Sequence, residues 1–210
     1  CIRDSLWYGQ CRSLGRSRYH CPLFATDQDP PLMSILSVFH PSSPELPNKV
    51  LTHHDDIVAT LAEQGVRFVH AGHGLRVRPG TAEGEVLDAC REHLDQLMTA
   101  HGSKAFVLLN RDGEDPAQVD VRDEHVHDAE EVFAVVSGRA QVALRLGDQV
   151  YSVLCEKGDQ LVVPAGTRRW VELGGTPFCL ALRLYGSEQG AQARFTGDVT
   201  ARAFLGIDEL

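Results

Sequence analysis

Glu131-Val132-Phe133-Ala134-Val135-Val136-Ser137-Gly138 opens the stretch whose reading decides the fold. Val132 to Val136 reads as a strand ending at Ser137-Gly138, and Gln141 to Leu146 as another, turning at Gly147-Asp148 into Gln149 to Leu154. Lys157-Gly158-Asp159 punctuates next, glycine supplying a positive φ. A strand to Val163, the turn Pro164-Ala165-Gly166, and strands through Trp170 and Phe178 to Tyr185 follow. Short strands at even spacing with glycine turns predict a sandwich or barrel. A jelly roll is the natural closure, since it leaves few strand edges and encloses a pocket.

Working outward toward the N-terminus, Ser34 to Phe39 alternates like a strand. Thr52 is placed to cap a helix from about His53 to Gln64, with Ile57 and Leu61 on one face and Gly65 ending it. Val66 to Val69 reads as a strand. Thr81 is placed to cap a longer helix, with Glu83 and Glu85 where the helix dipole favours acids. Val86, Cys90, Leu94, Leu97 and Met98 recur at helical spacing until Gly102, and Ala105 to Leu109 is a buried strand. Helices precede the strands rather than alternating with them, which excludes a doubly wound sheet. The fold class is therefore mainly β, a jelly-roll barrel with N-terminal helices packed outside.

Just before the strand run lies Glu124-His125-Val126-His127-Asp128-Ala129-Glu130-Glu131. His-x-His on a strand puts both imidazoles on one face, because side chains alternate with period two. Glu131 is placed to swing back beside them from the next strand. Two imidazoles and a carboxylate with open positions suit Fe(II) oxygen chemistry, and Ni, Mn and Zn also use such a set. A lone His-x-His is common in surfaces and cores, so the added glutamate carries the reading. His53 and His54 read as exposed helix-start residues; a pocket-facing, ligand-replacing role for His70 and His73, near glycines, is the less favoured reading.

Composition narrows the partners. The 210-residue chain is 43% hydrophobic and carries a net charge of −9, which argues against a nucleic-acid backbone as partner. No apolar run approaches the roughly 18 residues needed to span a bilayer. Residues 1–32, with Arg3, Arg12, Arg16 and Arg18, show neither helical nor strand period and read as a leader or non-domain extension; 33–210 reads as a single domain. Cys90, Cys155 and Cys179 sit in apolar stretches as buried thiols, and Cys1, Cys11 and Cys21 lack a zinc spacing. Reduced thiols point to the cytoplasm, and the expected state is a monomer or weak homo-oligomer.

The His-x-His-x-x-x-Glu box and the later Lys-Gly-Asp…Pro-Ala-Gly box resemble paired cupin motifs, and the chain from Met33 to about Phe204 resembles the acireductone dioxygenases. The resemblance is carried by Gly65-Val66-Arg67-Phe68, Glu124-His125-Val126-His127 with Glu130-Glu131-Val132, and Leu154 to Asp159. Val163 to Thr167, Ala181-Leu182-Arg183-Leu184 and Phe195-Thr196-Gly197-Asp198 complete it. It implies a cupin fold and a methionine-salvage enzyme adding O2 to a methylthio acireductone, with formate and a 2-oxo acid as products under Fe2+ and a different cleavage under Ni2+. It further implies His125, His127 and Glu131 as metal ligands, Glu124 hydrogen-bonded to an imidazole, and Arg169 or Arg183 receiving the anionic substrate.

Three positions depart from the family pattern. Arg169 in Gly166-Thr167-Arg168-Arg169-Trp170 stands where the family has a fourth, histidine ligand. A guanidinium offers no lone pair to a metal. Phe133 replaces an arginine that steadies the substrate, and Ala191 an aromatic residue. Arg169 either supplies the positive group that Phe133 removed, leaving a three-ligand metal, or pairs with Glu131 and replaces the metal. The alternative functions are a metal cupin acting on another enediol or small acid, and a non-catalytic cupin binding a small anion through Arg168 and Arg169. Trp170 and Phe178 are expected to fill the barrel, Trp170 as a candidate pocket wall.

Overall fold

One strand organises the molecule. In the computed structural model, which describes residues 34–113 and 121–209, strand β6 runs unbroken from Glu131 to Leu146 and belongs to two sheets. Before it in the chain come β1 (Ile35–Phe39), β2 (Lys49–Leu51), α1 (His54–Ala62), β3 (Arg67–His70), α2 (Glu83–His101), β4 (Ala105–Asp112) and β5 (His125–Val126). After it come β7 (Gln149–Glu156), β8 (Asp159–Val163), β9 (Arg168–Glu172), β10 (Phe178–Tyr185) and β11 (Arg194–Phe195). A short 3-10 turn, Thr200–Ala203, follows.

The first half of β6 pairs with β8 and β10, and these extend to β3 and β4. Its second half pairs with β7 and β9, continuing to β1 and β2 on one side and to β5 and β11 on the other. Every pairing is antiparallel, so the expected separate strands around Ser137-Gly138 are one bent strand. Gly138 is the bend: its φ is +75°, and a Cβ there would lie 2.0 Å from the Phe178 carbonyl oxygen. Only glycine combines that backbone with so close an approach.

The period of two sorts each strand's residues between two cores. Phe133, Val135, Val142, Leu144, Val171, Cys179 and Ala181 face inward and pack with Ile57 and Leu61 of α1. Val132, Ala134, Val136, Leu180, Leu182 and Leu184 face outward and are covered by Val86, Cys90, Leu94 and Leu97 of α2. The chain is thus mainly β, a jelly-roll barrel of cupin type with helices outside. The fully buried leucines and phenylalanines of these cores each contribute roughly 1.5–3 kcal/mol.

Several local expectations need correction. Neither Thr52 nor Thr81 caps a helix: the N-caps are His53 and Ala82, without side-chain hydrogen bonds. Acidic first turns (Asp55, Asp56; Glu83, Glu85) meet the helix dipoles instead. Gly102 does end α2, in the left-handed conformation. Trp170 is buried, but on the outer side of β9, against Phe39, Ala143 and Phe204, so it neither fills the barrel nor walls the pocket. Phe178 is 41% exposed. Cys90, Cys155 and Cys179 are free buried thiols. The leader reading of residues 1–32 and its three cysteines lie outside the described residues. No described helix is long and apolar enough to cross a membrane.

Candidate active site

Inward-facing positions near one end of the barrel carry the polar groups. Glu131 shares the parity of Phe133 on β6, Arg183 and Tyr185 that of Ala181 on β10, and Arg169 that of Val171 on β9. Register brings them together: Tyr185 is opposite Glu131, and Arg169 is opposite His125. His127 follows two residues after His125, and the rings lie 5.2 Å apart and nearly perpendicular. His125, His127, Glu131 and Arg169 are each no more than 1% exposed.

The imidazoles are set by backbone carbonyls. His125 Nδ1 lies 2.8 Å from the Asp123 oxygen and His127 Nδ1 3.2 Å from the Gly190 oxygen. Each Nδ1–H therefore donates outward, which leaves Nε2 as a lone pair. Burial lowers both pKa values, that of His127 to about 4, so both rings are neutral. His127 Nε2 is met by Arg183 Nη2 at 3.2 Å, whereas His125 Nε2 is buried without a hydrogen-bond partner among the described residues.

Glu131 is enclosed by cations. Arg169 Nη1 donates to Oε2 at 2.6 Å; Arg183 Nε donates to Oε1 at 2.5 Å and the Tyr185 hydroxyl to the same oxygen at 2.9 Å. Burial alone would raise the carboxyl's pKa, but the two guanidinium groups outweigh it and hold the group well below the usual carboxylate range. Burial raises that of Tyr185, which stays a donor. Arg169 is pinned further, donating through Nη2 to the Pro164 oxygen (2.9 Å) and through Nε to the Thr167 oxygen (3.1 Å).

This arrangement bears on whether these residues hold a metal. Two imidazole lone pairs suit a divalent ion, but both Glu131 oxygens are committed, and His127 Nε2 lies 4.0 Å from Oε2. Among the described residues no group of three metal-binding side chains converges. A dication on Glu131 would stand near both guanidinium groups; at about 5 Å and an effective dielectric of about 20, each repulsion is roughly 7 kcal/mol. The expected Fe2+ or Ni2+ set of His125, His127 and Glu131 therefore does not fit a metal here. Of the two readings of Arg169, the structure shows the pairing with Glu131.

Other expectations resolve by parity and burial. Glu124 does not orient an imidazole: its carboxylate accepts from Arg145 Nε (2.8 Å) and the Thr196 hydroxyl (2.8 Å) on the far side of β5. Thr196 N also donates to the Glu124 carbonyl, so this network ties the tail to the strand bearing His125. Arg168 points outward, its side chain 55% exposed and 3.9 Å from Glu124, so Arg168 and Arg169 do not meet on one anion. His70 is paired with the buried Asp159 at 2.9 Å, and His73 stacks near His93 at 4.9 Å, both away from the site. His53 and His54 are exposed. Tyr185 escaped the sequence reading, although its spacing of two from Arg183 on a strand gave the signal.

A cavity of about 430 Å³ opens on these groups. It is lined by the polar side chains of His125, His127, Arg183, Tyr185 and Arg111 and, interspersed with them, by Val107, Leu109, Val121, Ala191 and Phe195. That volume and mixed lining suit a small molecule with both polar and apolar parts.

The fold and site thus define a barrel protein with a small-molecule pocket at its histidine-bearing end. The sequence model of the ARD/ARD' family matches residues 115–193. Acireductone dioxygenases from two strains of Pseudomonas fluorescens are 46% and 42% identical over 181 residues, covering 84% of this chain and all of each relative. The protein of that name from Pseudomonas syringae pv. tomato is 42% identical over the same shares. Among solved structures, an acireductone dioxygenase from Bacillus anthracis with a cadmium ion in its active centre superimposes with a TM-score of 0.62. It shares 18% identity, over 78% of this chain and 98% of that one, and shows the same fold. The chain belongs to the acireductone dioxygenase family, whose members are metal-dependent dioxygenases.

Proposed function

We propose that the chain adds O2 to an acireductone-type enediol held in the cavity beside His125, cleaving it to a 2-oxo acid and formate in methionine salvage. The observation that carries this reading is the buried His125 Nε2, without a hydrogen-bond partner among the described residues, in the same cavity as Arg183. An enediolate supplies groups that match both. Its ionised oxygen accepts from a guanidinium, and its neighbouring hydroxyl donates to a neutral imidazole.

The reaction balances without an outside reductant. O2 adds across the enediol carbon–carbon double bond and that bond breaks, one oxygen atom ending in each acid and the electrons coming from the substrate. Arg183 stabilises the enediolate oxygen, His125 takes the hydroxyl proton, and the apolar lining residues receive the methylthio tail. No step is assigned to iron or nickel, because the residues as arranged do not hold them. We place the enzyme in the cytoplasm, where the three buried thiols stay reduced.

Oxygen uptake with synthetic methylthio acireductone tests the reading, with formate and the 2-oxo acid quantified against protein-free controls. Enzyme-dependent uptake with equimolar products is expected. Product formation no faster than in buffer contradicts it.

A further inference from the structure

Glu131, in contact with Arg183 and Tyr185 of the cavity lining, faces two guanidinium groups. With neutral imidazoles, the cluster of Glu131, Arg169 and Arg183 already carries one net positive charge. The pairing is built into the fold. Arg169 spends Nη1 on Glu131, Nη2 on the Pro164 carbonyl and Nε on the Thr167 carbonyl, while fully buried. Its side chain is a fitted component of the β9 end, and the carbonyls that hold it would lose their donors if it left.

We propose that Arg169 is the resident cation of this site: it occupies Glu131 in place of a divalent metal, and the cavity binds its enediolate directly on Arg183 and His125, without a metal. The inference rests on the enediol reading above and adds what stands in for the ion. Arg183 is suited to the oxyanion because its Nε and Nη2 face Glu131 and His127 while no described contact engages Nη1. His125 is suited to the neighbouring hydroxyl because its buried Nε2 lone pair lines the cavity with no donor of its own. Burying such an acceptor without a partner is costly, so a bound ligand that donates there gains affinity.

The test has two arms, neither of which depends on turnover. In the first, full-length wild-type protein, Arg169→His and Arg169→Gln are titrated with Co2+ and followed by visible absorption, with circular dichroism as the folding control. Wild type is expected to bind well under one equivalent. Arg169→His should approach one equivalent and Arg169→Gln should fall between. Wild-type binding of a full equivalent that His127→Ala abolishes overturns the proposal, as does a failure of both folded Arg169 variants to gain Co2+ over wild type.

In the second arm, chelator-treated wild type is titrated with reductic acid, a stable enediol. Binding is expected, weakened at least about tenfold by Arg183→Gln and by His125→Phe. No binding, or binding unchanged in both variants, overturns the proposal. Absence of acireductone turnover under every condition would instead count against the dioxygenase reading, leaving metal content and enediol binding to be judged separately.

Discussion

Arg169 and Glu131 form a buried ion pair, Nη1 to Oε2 at 2.6 Å, with neither side chain more than 2% exposed. Arg183 completes the carboxylate's shell from the other side at 2.5 Å. Removing one partner of such a cluster leaves an uncompensated buried charge, which is worse than never having had the pair. Glu131→Ala, which strands two guanidinium groups, is expected to lower stability by about 3–5 kcal/mol. Urea unfolding monitored by circular dichroism checks it, and a loss under about 1 kcal/mol would contradict the enclosed geometry.

The same cluster sets a pH dependence with a defined sign. Glu131 has a depressed folded pKa, so its contribution is fully present above its ordinary value of 4.5 and is lost as pH falls below it. His127 is a base lowered from 6.5 to about 4, so the unfolded chain takes up its proton first. Stability therefore falls as pH drops from 6.5 toward 4, and then falls further. Thermal melts across this range should show both parts, and His127→Gln should flatten the upper one. An unchanged slope between pH 6.5 and 4 in that variant would show that the ring is not buried in its neutral form.

Tyr185→Phe removes a hydroxyl that donates to Glu131 Oε1 at 2.9 Å but keeps the ring packed 4.8 Å from that of His127. A loss of about 1.5–3 kcal/mol is expected, the usual scale for a hydrogen bond to a charged group. Denaturant midpoints compared at equal slope give the measurement.

The strand bend makes a backbone prediction. Gly138→Ala meets both a left-handed φ and the Phe178 carbonyl at 2.0 Å from the new Cβ, so β6 and β10 must separate locally. A cost of at least about 2 kcal/mol is expected from the conformation and the clash. Thermal unfolding reads it, with Gly147→Ala, where no atom lies within 4 Å of the added Cβ, as the sterically open comparison.

Ala191 is a small apolar residue of the cavity lining, and the proposed function places the substrate tail against it. Ala191→Phe should raise KM for substrates with longer tails while changing kcat little, because the substitution touches no reacting atom. Each methylene excluded from the wall corresponds to about 0.8 kcal/mol of lost burial. A KM series across tail lengths that is parallel in both proteins would argue against this wall as the tail site.

Much of this was legible in the sequence because it depends on local period. The alternation of β6, β9 and β10 and the helical spacing from Val86 to Leu97 fix which face each side chain takes, and they fix the barrel with helices outside. His125, His127 and Glu131 were legible from the His-x-His-x-x-x-Glu spacing, whereas Arg169 and Arg183 came from the resemblance to the acireductone dioxygenases. What period cannot give is register across strands. That Arg169 lies opposite His125 and Tyr185 opposite Glu131 is a property of pairing between distant segments. Glu124 was misread for a related reason. Its parity, opposite to that of His125, turns its carboxylate to Arg145 and Thr196. Continuity across Gly138 was missed because a positive-φ glycine marks a turn and a strand bend equally well.

The most direct measurement is a crystal structure of the wild-type protein grown in excess Ni2+, with diffraction recorded at the nickel absorption edge. The account predicts no anomalous peak between His125 and His127, and continuous density joining the Arg169 guanidinium to Glu131. A nickel ion bound by both imidazoles and Glu131, with Arg169 turned away, would contradict it.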